Sequence, residues 1–319
     1  MVNFRNCLVS ALILFSCSSE NKDREQGPER KMAFVLEDSV VVDVLEPLVM
    51  DDQQLSGESF LMRGMKSRKP YLVNKKGKVI KEYDILDEGP NGVGPNGAFG
   101  YNFLGEDQWV AQGLFNGYHV YNLIGEKTKL LEPIHLGIYS MSIHYFQTFF
   151  RGFQKGGEAM LLGVEENLFN PESLSKENLE QPMYYDSVKT VFSYRVNDQK
   201  LTLLETYPEN WTPKKERQFV GNSKPLVAYH RNKHQLALLP QMGNQLFIYD
   251  NSSSEPLLIQ EVLLSHRFRP LEIPAIDKEA KLTSVYPNFT DLRFVGDRLL
   301  VEFHTKIPED IMKSMRAKS

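Results

Sequence analysis

Short apolar segments separated by turn-forming residues set the limits on how this chain can fold. From Phe34 onward, apolar or alternating runs of four to six residues follow one another, with Gly, Asn, Asp, Ser or Pro between them. This pattern is typical of many short β-strands joined by tight turns. Long helical periodicity is nearly absent, so the sequence predicts an all-β fold.

The predicted strands recur in groups of four. The clearest group has its predicted strands at 226–229, 235–239, 245–249 and 257–262. Three further groups precede it, and their third strands end near Val73, Tyr121 and Tyr194. A four-stranded unit of ~40 to 50 residues, repeated along a chain, is the sequence form of a β-propeller, in which each sheet packs against its neighbours. We therefore expect a β-propeller of four-stranded antiparallel blades.

The last predicted unit is incomplete. It has strands at 291–294 and 298–303, and a helical pattern begins after Pro308 where a third and a fourth strand would be expected. The run 40–44 could supply one missing strand and close the ring by pairing with this last blade. Either the propeller is open, and so incomplete at its C-terminus, or the chain is truncated.

The first residues have the layout of a secretory signal. A polar start carrying Arg5 is followed by an apolar run at 7–15, which is too short to span a bilayer. Residues 14–17, Leu-Phe-Ser-Cys, then resemble the lipobox of bacterial lipoproteins. We predict a signal peptide at 1–16, cleavage before Cys17, and a lipid on Cys17 that anchors the chain to a membrane. The alternative is an ordinary cleaved signal followed by a chance cysteine.

The remaining chain divides into a tether and a folded domain. The stretch 18–28 contains no aliphatic or aromatic residue, so it cannot bury a core and is typical of a flexible linker. We assign 17–32 to this tether and 33–319 to the propeller domain. The chain has two cysteines. Because Cys7 lies in the segment predicted to be removed, no disulfide is expected in the mature domain.

Composition narrows the possible partners. The formal net charge at pH 7 is −4, so the sequence gives no sign of the basic surface that binds nucleic acid. We predict no nucleic-acid partner, and contact with the membrane through the lipid anchor alone.

Three segments carry a resemblance to a known family. They are the glycine-rich stretch 87–94, the predicted hairpin 75–80 and the late strand region 296–303. Together with the lipobox, they resemble the uncharacterised six-bladed, TolB-like propeller lipoproteins of Bacteroidetes that are grouped as a domain of unknown function. The resemblance covers most of 34–308. It implies the fold and a location in the cell envelope, at the periplasmic or outer surface of the outer membrane, and it implies no activity or catalytic residue.

The glycine-rich run 89–100 has two interpretations. Glycines let backbone N–H groups approach an anion, as in phosphate-binding loops. Here the run lacks the Gly-Lys-Ser/Thr ending and precedes a predicted strand, which favours an ordered loop between blades. Asp87, Glu88 and Asn91 could offer oxygen ligands to Ca²⁺, but their spacing matches no EF-hand loop.

His230 and His234 have the spacing of two metal ligands on one helix face. They flank a predicted strand turn at 231–233, which favours a solvated hairpin tip. We therefore predict no metal site and no cofactor.

Aromatic residues in predicted loops are candidate ligand-stacking groups. Tyr184 and Tyr185 lie in a polar insertion at 165–187, which we expect to be a surface loop, and Trp211 lies between two blades. Most aromatic residues of a β-rich protein belong to its core, which is the competing interpretation.

Two tripeptides resemble the short O-glycosylation motif of exported Bacteroidetes proteins. They place Ser39 and Ser187 between an aspartate and a valine. Tripeptides of this kind also arise by chance.

Taken together, these features favour an exported binding or scaffolding protein that recognises a peptide, a protein or a glycan. The alternative is a propeller hydrolase or lyase that acts on extracellular polysaccharide. The sequence leaves catalysis undecided and weighs against it, because no motif brings a nucleophile, base and orienting group together.

Overall fold

A computed structural model describes residues 35–36, 38–95, 97–114, 116–133, 148, 150–165, 181–221, 224–265 and 288–304. The chain forms two compact units, Met1–Ser39 and Val40–Ser319. All strands and helices of the described residues lie in the second unit. The predicted signal peptide, Cys17 and the tether lie outside the described residues, as does the helical pattern after Pro308.

The described residues form five antiparallel sheets, numbered here along the chain. The first sheet contains β1 (Leu48–Gln53), β2 (Ser59–Gly64), β3 (Pro70–Asn74) and β4 (Val79–Glu82). The second contains β5 (Ala98–Phe103), β6 (Gln108–Gly113), β7 (Tyr118–Asn122) and β8 (Lys127–Leu131). The third contains β9 (Phe150–Lys155), β10 (Glu158–Val164), β11 (Val191–Arg195) and β12 (Lys200–Leu204).

The fourth sheet contains β13 (Pro225–His230), β14 (Gln235–Pro240), β15 (Gln245–Asp250) and β16 (Leu257–Leu263), and the fifth contains β17 (Asn288–Val295) and β18 (Arg298–His304). Each strand pairs with the next one along the chain, so every sheet is an up-and-down meander. Two short helices, α1 (Tyr184–Ser187) and α2 (Thr212–Lys215), lie between strands of the third sheet and between the third and fourth sheets. The predicted all-β class and its four-stranded units are confirmed.

The suggested closing strand at 40–44 is wrong. No strand is assigned there, and the first sheet begins instead at β1, which the sequence pattern did not reveal. A Cβ built on Gly77, in the β3–β4 turn, would lie 2.6 Å from Val40 Cγ1 and 2.2 Å from the Val41 carbonyl oxygen. The segment therefore lies against the first sheet.

Neighbouring sheets share their apolar cores. In the cluster between the first and second sheets, Trp109 stacks on Tyr121 with ring centroids 4.4 Å apart and contacts Tyr83 at 4.7 Å. Three further buried clusters combine the second sheet with the third, the third with the fourth, and the fourth with the fifth. Because a sheet of this kind has two apolar faces, each copy needs a neighbour on either side to bury them.

The sheets also approach each other closely at their first strands. Contacts join β1 to β5, β5 to β9 and β13 to β17, and the third sheet reaches β13 through β10. A Cβ on Gly152 in β9 would lie 2.2 Å from the Phe103 carbonyl oxygen in β5. Glycine at this position is what lets the two backbones come together.

The first strand of the first sheet carries a β-bulge. Its pairing with β2 shifts between Met50 and Asp52, which leaves Asp51 as the extra residue. A bulge re-aims the side chains around it. As a result, consecutive aspartates at 51 and 52 both find partners outside the first sheet.

We expect Gly152→Ala to lower the free energy of unfolding by about 3 kcal/mol, because the new methyl group would collide with backbone of the neighbouring sheet. Urea unfolding followed by tryptophan fluorescence measures this. The matched control is Gly156→Ala in the β9–β10 turn, where a Cβ would meet nothing within 4 Å and only the positive φ of 58° is unfavourable. That control should cost about 1 kcal/mol. Equal losses in the two variants would contradict the close approach of β5 and β9.

Candidate binding site

Charged side chains from several sheets converge where the first strands meet. Asp52, near the end of β1, accepts a hydrogen bond from the backbone N–H of Phe103 in β5 at 2.9 Å. The same carboxylate oxygen accepts one from Nη2 of Arg231, which lies in the β13–β14 turn. Asp52 thus ties together the first, second and fourth sheets.

Arg231 makes two further contacts across the sheets. Its Nη1 donates to the Gln53 carbonyl oxygen at 2.8 Å, and its Nη2 donates to Asn102 Oδ1 at 3.3 Å. Its partly buried guanidinium therefore contacts two sheets other than its own. A guanidinium suits this role because its fixed fork of donors can serve several acceptors at once.

Asn102 extends the network to the third sheet. It is completely buried in β5, and its Oδ1 accepts a hydrogen bond from the backbone N–H of Gly152 at 3.1 Å. Its Nδ2 donates to the carbonyl oxygen of Tyr101 at 3.2 Å. The amide satisfies both of its polar atoms inside the protein, as a buried polar group requires.

Asp51 is the most deeply buried carboxylate of the network. Its Oδ1 accepts hydrogen bonds from Arg63 Nη2 at 3.0 Å and from Thr148 Oγ1 at 3.2 Å. Its Oδ2 has no hydrogen-bond partner among the described residues. Burial raises the pKa of Asp51 to about 6, against the opposing influence of Arg63, Thr148 and Arg151. This carboxyl group therefore titrates just below neutral pH.

Arg151, the second residue of β9, differs from the other arginines of the network. It is partly buried, and it makes no side-chain hydrogen bond or ion pair with any residue that the structure describes. Burial lowers the pKa of Arg151; the aspartates at 52 and 291 act in the opposite direction, and the arginines at 231 and 293 add to the lowering. An arginine remains protonated under such conditions, so it is a cation without a partner in the described part of the chain.

The charges of the network otherwise form pairs. Asp51 pairs with Arg63, Asp52 with Arg231 and Asp291 with Arg293, and Leu292 N also donates to Asp291 at 2.9 Å. Arg151 has no such aspartate partner among the described residues. We call the following residues the polar cluster: Asp51, Asp52, Arg63, Asn102, Arg151, Arg231, Asp291 and Arg293.

A small cavity of about 30 Å³ adjoins the polar cluster. Arg151, Thr148 and Asp291 supply its polar lining, and its other walls are apolar residues of β10, β13 and β17. A cavity of this size has room for roughly two water molecules. The charged guanidinium therefore lies at a small space with both polar and apolar walls.

A larger groove of about 210 Å³ lies elsewhere, on the third sheet. Two of its charged side chains are already engaged: Lys155 Nζ donates to the Ser253 carbonyl oxygen, and Arg195 pairs with Asp198. Size alone does not make a binding site. We place the candidate site at the smaller cavity, because the charge of Arg151 there has no partner among the described residues.

The predicted aromatic candidates are not exposed. Tyr184, Tyr185 and Trp211 have exposed fractions of 7%, 1% and 0%. Tyr185 contacts Trp211 edge to face at 4.8 Å, and Trp211 Nε1 donates to the carbonyl oxygen of Met242 at 3.1 Å. The expectation that these rings lie on surface loops is wrong, since residues 184–187 form a helix whose tyrosines belong to the core between the third and fourth sheets.

The histidine pair flanks the predicted hairpin turn, in which Asn232 and Lys233 are exposed. His230 ends β13 and is buried, with Nε2 3.0 Å from Asp297 Oδ1, so this part of the hairpin is not solvated. His234 lies in the turn, with Nδ1 2.9 Å from the Tyr229 hydroxyl oxygen. The two histidines thus have separate partners.

The other predicted positions supply no side chain to the polar cluster. Asn91 accepts hydrogen bonds from Lys127 N through its side chain and from the Tyr121 hydroxyl through its carbonyl, which makes it a structural residue of an ordered loop. Ser39 is exposed and Ser187 is partly buried; glycosylation of either stays a prediction. Within the described ranges, no three His, Cys, Asp or Glu side chains are grouped as a metal site would need.

Sequence reasoning missed the polar cluster. A faint signal was present, because Arg151 interrupts an otherwise apolar stretch at 149–153 and two adjacent aspartates occupy 51 and 52. Charges inside a predicted buried strand are rare unless they are paired or functional.

Comparison with solved structures finds one that is similar in fold. A member of the DUF4221 family from Bacteroides vulgatus has a TM-score of 0.52 at 11% sequence identity, over 85% of this chain and 74% of that chain. Kluyvelomyces marxianus Hsv2 has a TM-score of 0.39 at 11% identity, over 76% of this chain and 53% of that chain, which is too low to carry an argument. No protein-family model and no curated protein matches the sequence. The likeness to DUF4221 fits the expected resemblance to uncharacterised Bacteroidetes proteins as far as the fold is concerned.

We expect the titration of Asp51 to appear in the pH dependence of stability. Because the pKa of Asp51 is about 6 in the folded state and 3.8 for an ordinary aspartate, the folded state binds the proton first as the pH falls. The contribution of this group to the free energy of unfolding should therefore rise by up to about 3 kcal/mol between pH 7 and pH 4.

Urea unfolding at both pH values compares the wild-type chain with Asp51→Asn, which cannot titrate at this position. Asp107→Asn, in the exposed β5–β6 turn, serves as the control and should keep the wild-type dependence. If Asp51→Asn also keeps it, the buried carboxyl is not the group that titrates.

Proposed function

We propose that this chain is an exported, lipid-anchored binding protein whose sheets are the blades of a β-propeller, and that it binds its ligand at the polar cluster. The order of the sheets along the chain and the shared cores of successive sheets support the propeller. So does Arg231, which brings the end of the fourth sheet to the end of the first. A ring of blades gathers its first strands around a common centre.

The observation that carries the binding role is Arg151, a cation at the cavity that has no partner among the residues the structure describes. An uncompensated charge that is partly removed from water costs stability. A protein retains an unfavourable charge of this kind where the charge serves its function. A ligand that pairs with Arg151 would remove this cost.

The envelope location rests on the sequence. The lipobox at 14–17 and the apolar run before it predict export and lipidation. In the part of the chain that the structure describes, no helix has the length and apolar character to cross a bilayer. We therefore propose that acyl chains on Cys17 hold the protein at the outer membrane, facing the periplasm or the exterior.

The second candidate is a hydrolase or lyase acting on extracellular polysaccharide. Its chemistry would need a carboxyl group able to give or take a proton. The Asp52 and Asp291 carboxylates each accept hydrogen bonds from an arginine and a backbone N–H, so both groups are already engaged within the protein. Asp51, with its raised pKa, is the one observation that favours an enzyme. Release of reducing ends or unsaturated sugars by the purified chain would support this candidate.

We expect the full chain, purified in detergent, to be stabilised against heat by a small-molecule extract of its native envelope. Arg151→Gln should weaken the interaction by about tenfold or more, because it removes the charge with which the ligand pairs. The matched control, Asp107→Asn, should bind as the wild type does. Absence of any stabilisation, or equal stabilisation of all three proteins, would argue against binding at the polar cluster.

Lipidation is tested by labelling cells with a palmitate analogue. We expect the wild-type chain and Cys7→Ser to take up the label and to sediment with membranes, since Cys7 lies in the removed segment. Cys17→Ser should lose the label and run as the longer precursor. Labelling of Cys17→Ser, or its loss in Cys7→Ser, would show that the lipid is attached elsewhere.

A further inference from the structure

The ion pairs of the polar cluster show which ligand charge would complete the site. Three aspartates have an arginine each, whereas Arg151 has none among the described residues. What is missing beside Arg151 is thus a single negative charge. A planar carboxylate matches the fork of a guanidinium, since two parallel N–H groups can donate to its two oxygens.

The walls of the cavity are of mixed character. Residues of three strands form them beside Arg151, among them Leu162, Leu226 and Leu292, together with the polar residues Thr148 and Asp291. A charged group that enters loses its hydrogen bonds to water, so it is held there only if it pairs with the guanidinium.

Size sets a further limit. A volume of about 30 Å³ has room for roughly two water molecules, which is about the space that a carboxylate group alone takes up. Larger sugars and peptides would have to stay outside the cavity and place only one group inside it.

We infer that Arg151 binds the carboxylate group of an organic acid, an inference that rests on the proposed binding function and names its ligand class. Thr148 Oγ1, which donates to Asp51, keeps lone pairs for a donor at the cavity wall. Asp291 also faces the cavity, but its charge is offset by Arg293. The Arg151 guanidinium therefore decides which ligand charge is favoured.

The role of Arg151 has a signature that a structural arginine would lack. Because its guanidinium makes no hydrogen bond or ion pair with any residue that the structure describes, replacing it with glutamine should leave the melting temperature of the ligand-free chain unchanged or higher. Loss of a structural ion pair would lower it. Arg63→Gln, which breaks the buried pair with Asp51, provides that comparison and should melt at a lower temperature.

The test uses the full chain in detergent, with propionate and propionamide as probes of nearly equal shape and different charge. Isothermal titration should show that propionate binds at least about tenfold more tightly than propionamide at matched ionic strength, as expected for a charged hydrogen-bonded pair. Arg151→Gln should remove this preference. The control Arg195→Gln, which alters an exposed ion pair on the third sheet, should retain it.

Equal binding of the acid and the amide would overturn the inference, and so would an unchanged preference in Arg151→Gln. Displacement of propionate by an equal concentration of sulfate would overturn the choice of a carboxylate. The envelope extract tests for any ligand, whereas this titration tests only for a carboxylate. If the extract stabilises the protein but propionate does not bind, the ligand class is rejected and the proposed binding function is retained.

Discussion

The contact between Arg231 and Asp52 joins residues 179 positions apart in the chain. Among the residues that the structure describes, the apolar cores join each sheet to the next one along the sequence. Nothing in that succession requires the fourth sheet to return to the first. The guanidinium of Arg231 makes this connection, because it donates to the carboxylate of Asp52, to the Gln53 carbonyl and to Asn102.

The same arrangement explains why charges are buried here at all. A buried ion pair contributes little net stability, since desolvation offsets most of the attraction between the charges. Its value lies in specificity: an unpaired Asp52 or Arg231 would be costly, so the pair selects the arrangement in which the two strand ends meet. Arg151 does not fit this explanation. It has the cost of burial without a compensating partner in the described part of the chain, and this is why we assign it to ligand binding and not to folding.

Much of the fold could be predicted because its signals are local. In the fourth sheet, the predicted strands agree with the observed ones to within about one residue, since apolar runs and turn residues alternate over short distances. The strand β1 was missed because two successive aspartates, at the position of its bulge, break the alternation of apolar and polar residues. The tyrosines at 184 and 185 were misplaced because polar neighbours conceal a short buried helix.

The candidate site could not be predicted for a different reason. Its members come from β1, β2, β5, β9, β17 and the β13–β14 turn, and they become neighbours only when the sheets pack. Local patterns contain no information on which charged residues of distant strands will meet. The likeness to a solved DUF4221 structure supplies the fold and, at 11% identity, no site.

A double-mutant cycle on Arg231 and Asp52 tests the central claim most directly. The free energies of unfolding of Arg231→Gln, Asp52→Asn and the double variant are compared with that of the wild type. If the fourth sheet meets the first as described, the two substitutions should be coupled by about 1 to 3 kcal/mol, because either one alone leaves a partly buried charge unpaired. Additivity within about 0.5 kcal/mol would show that these side chains do not meet, and the polar cluster would then have no basis.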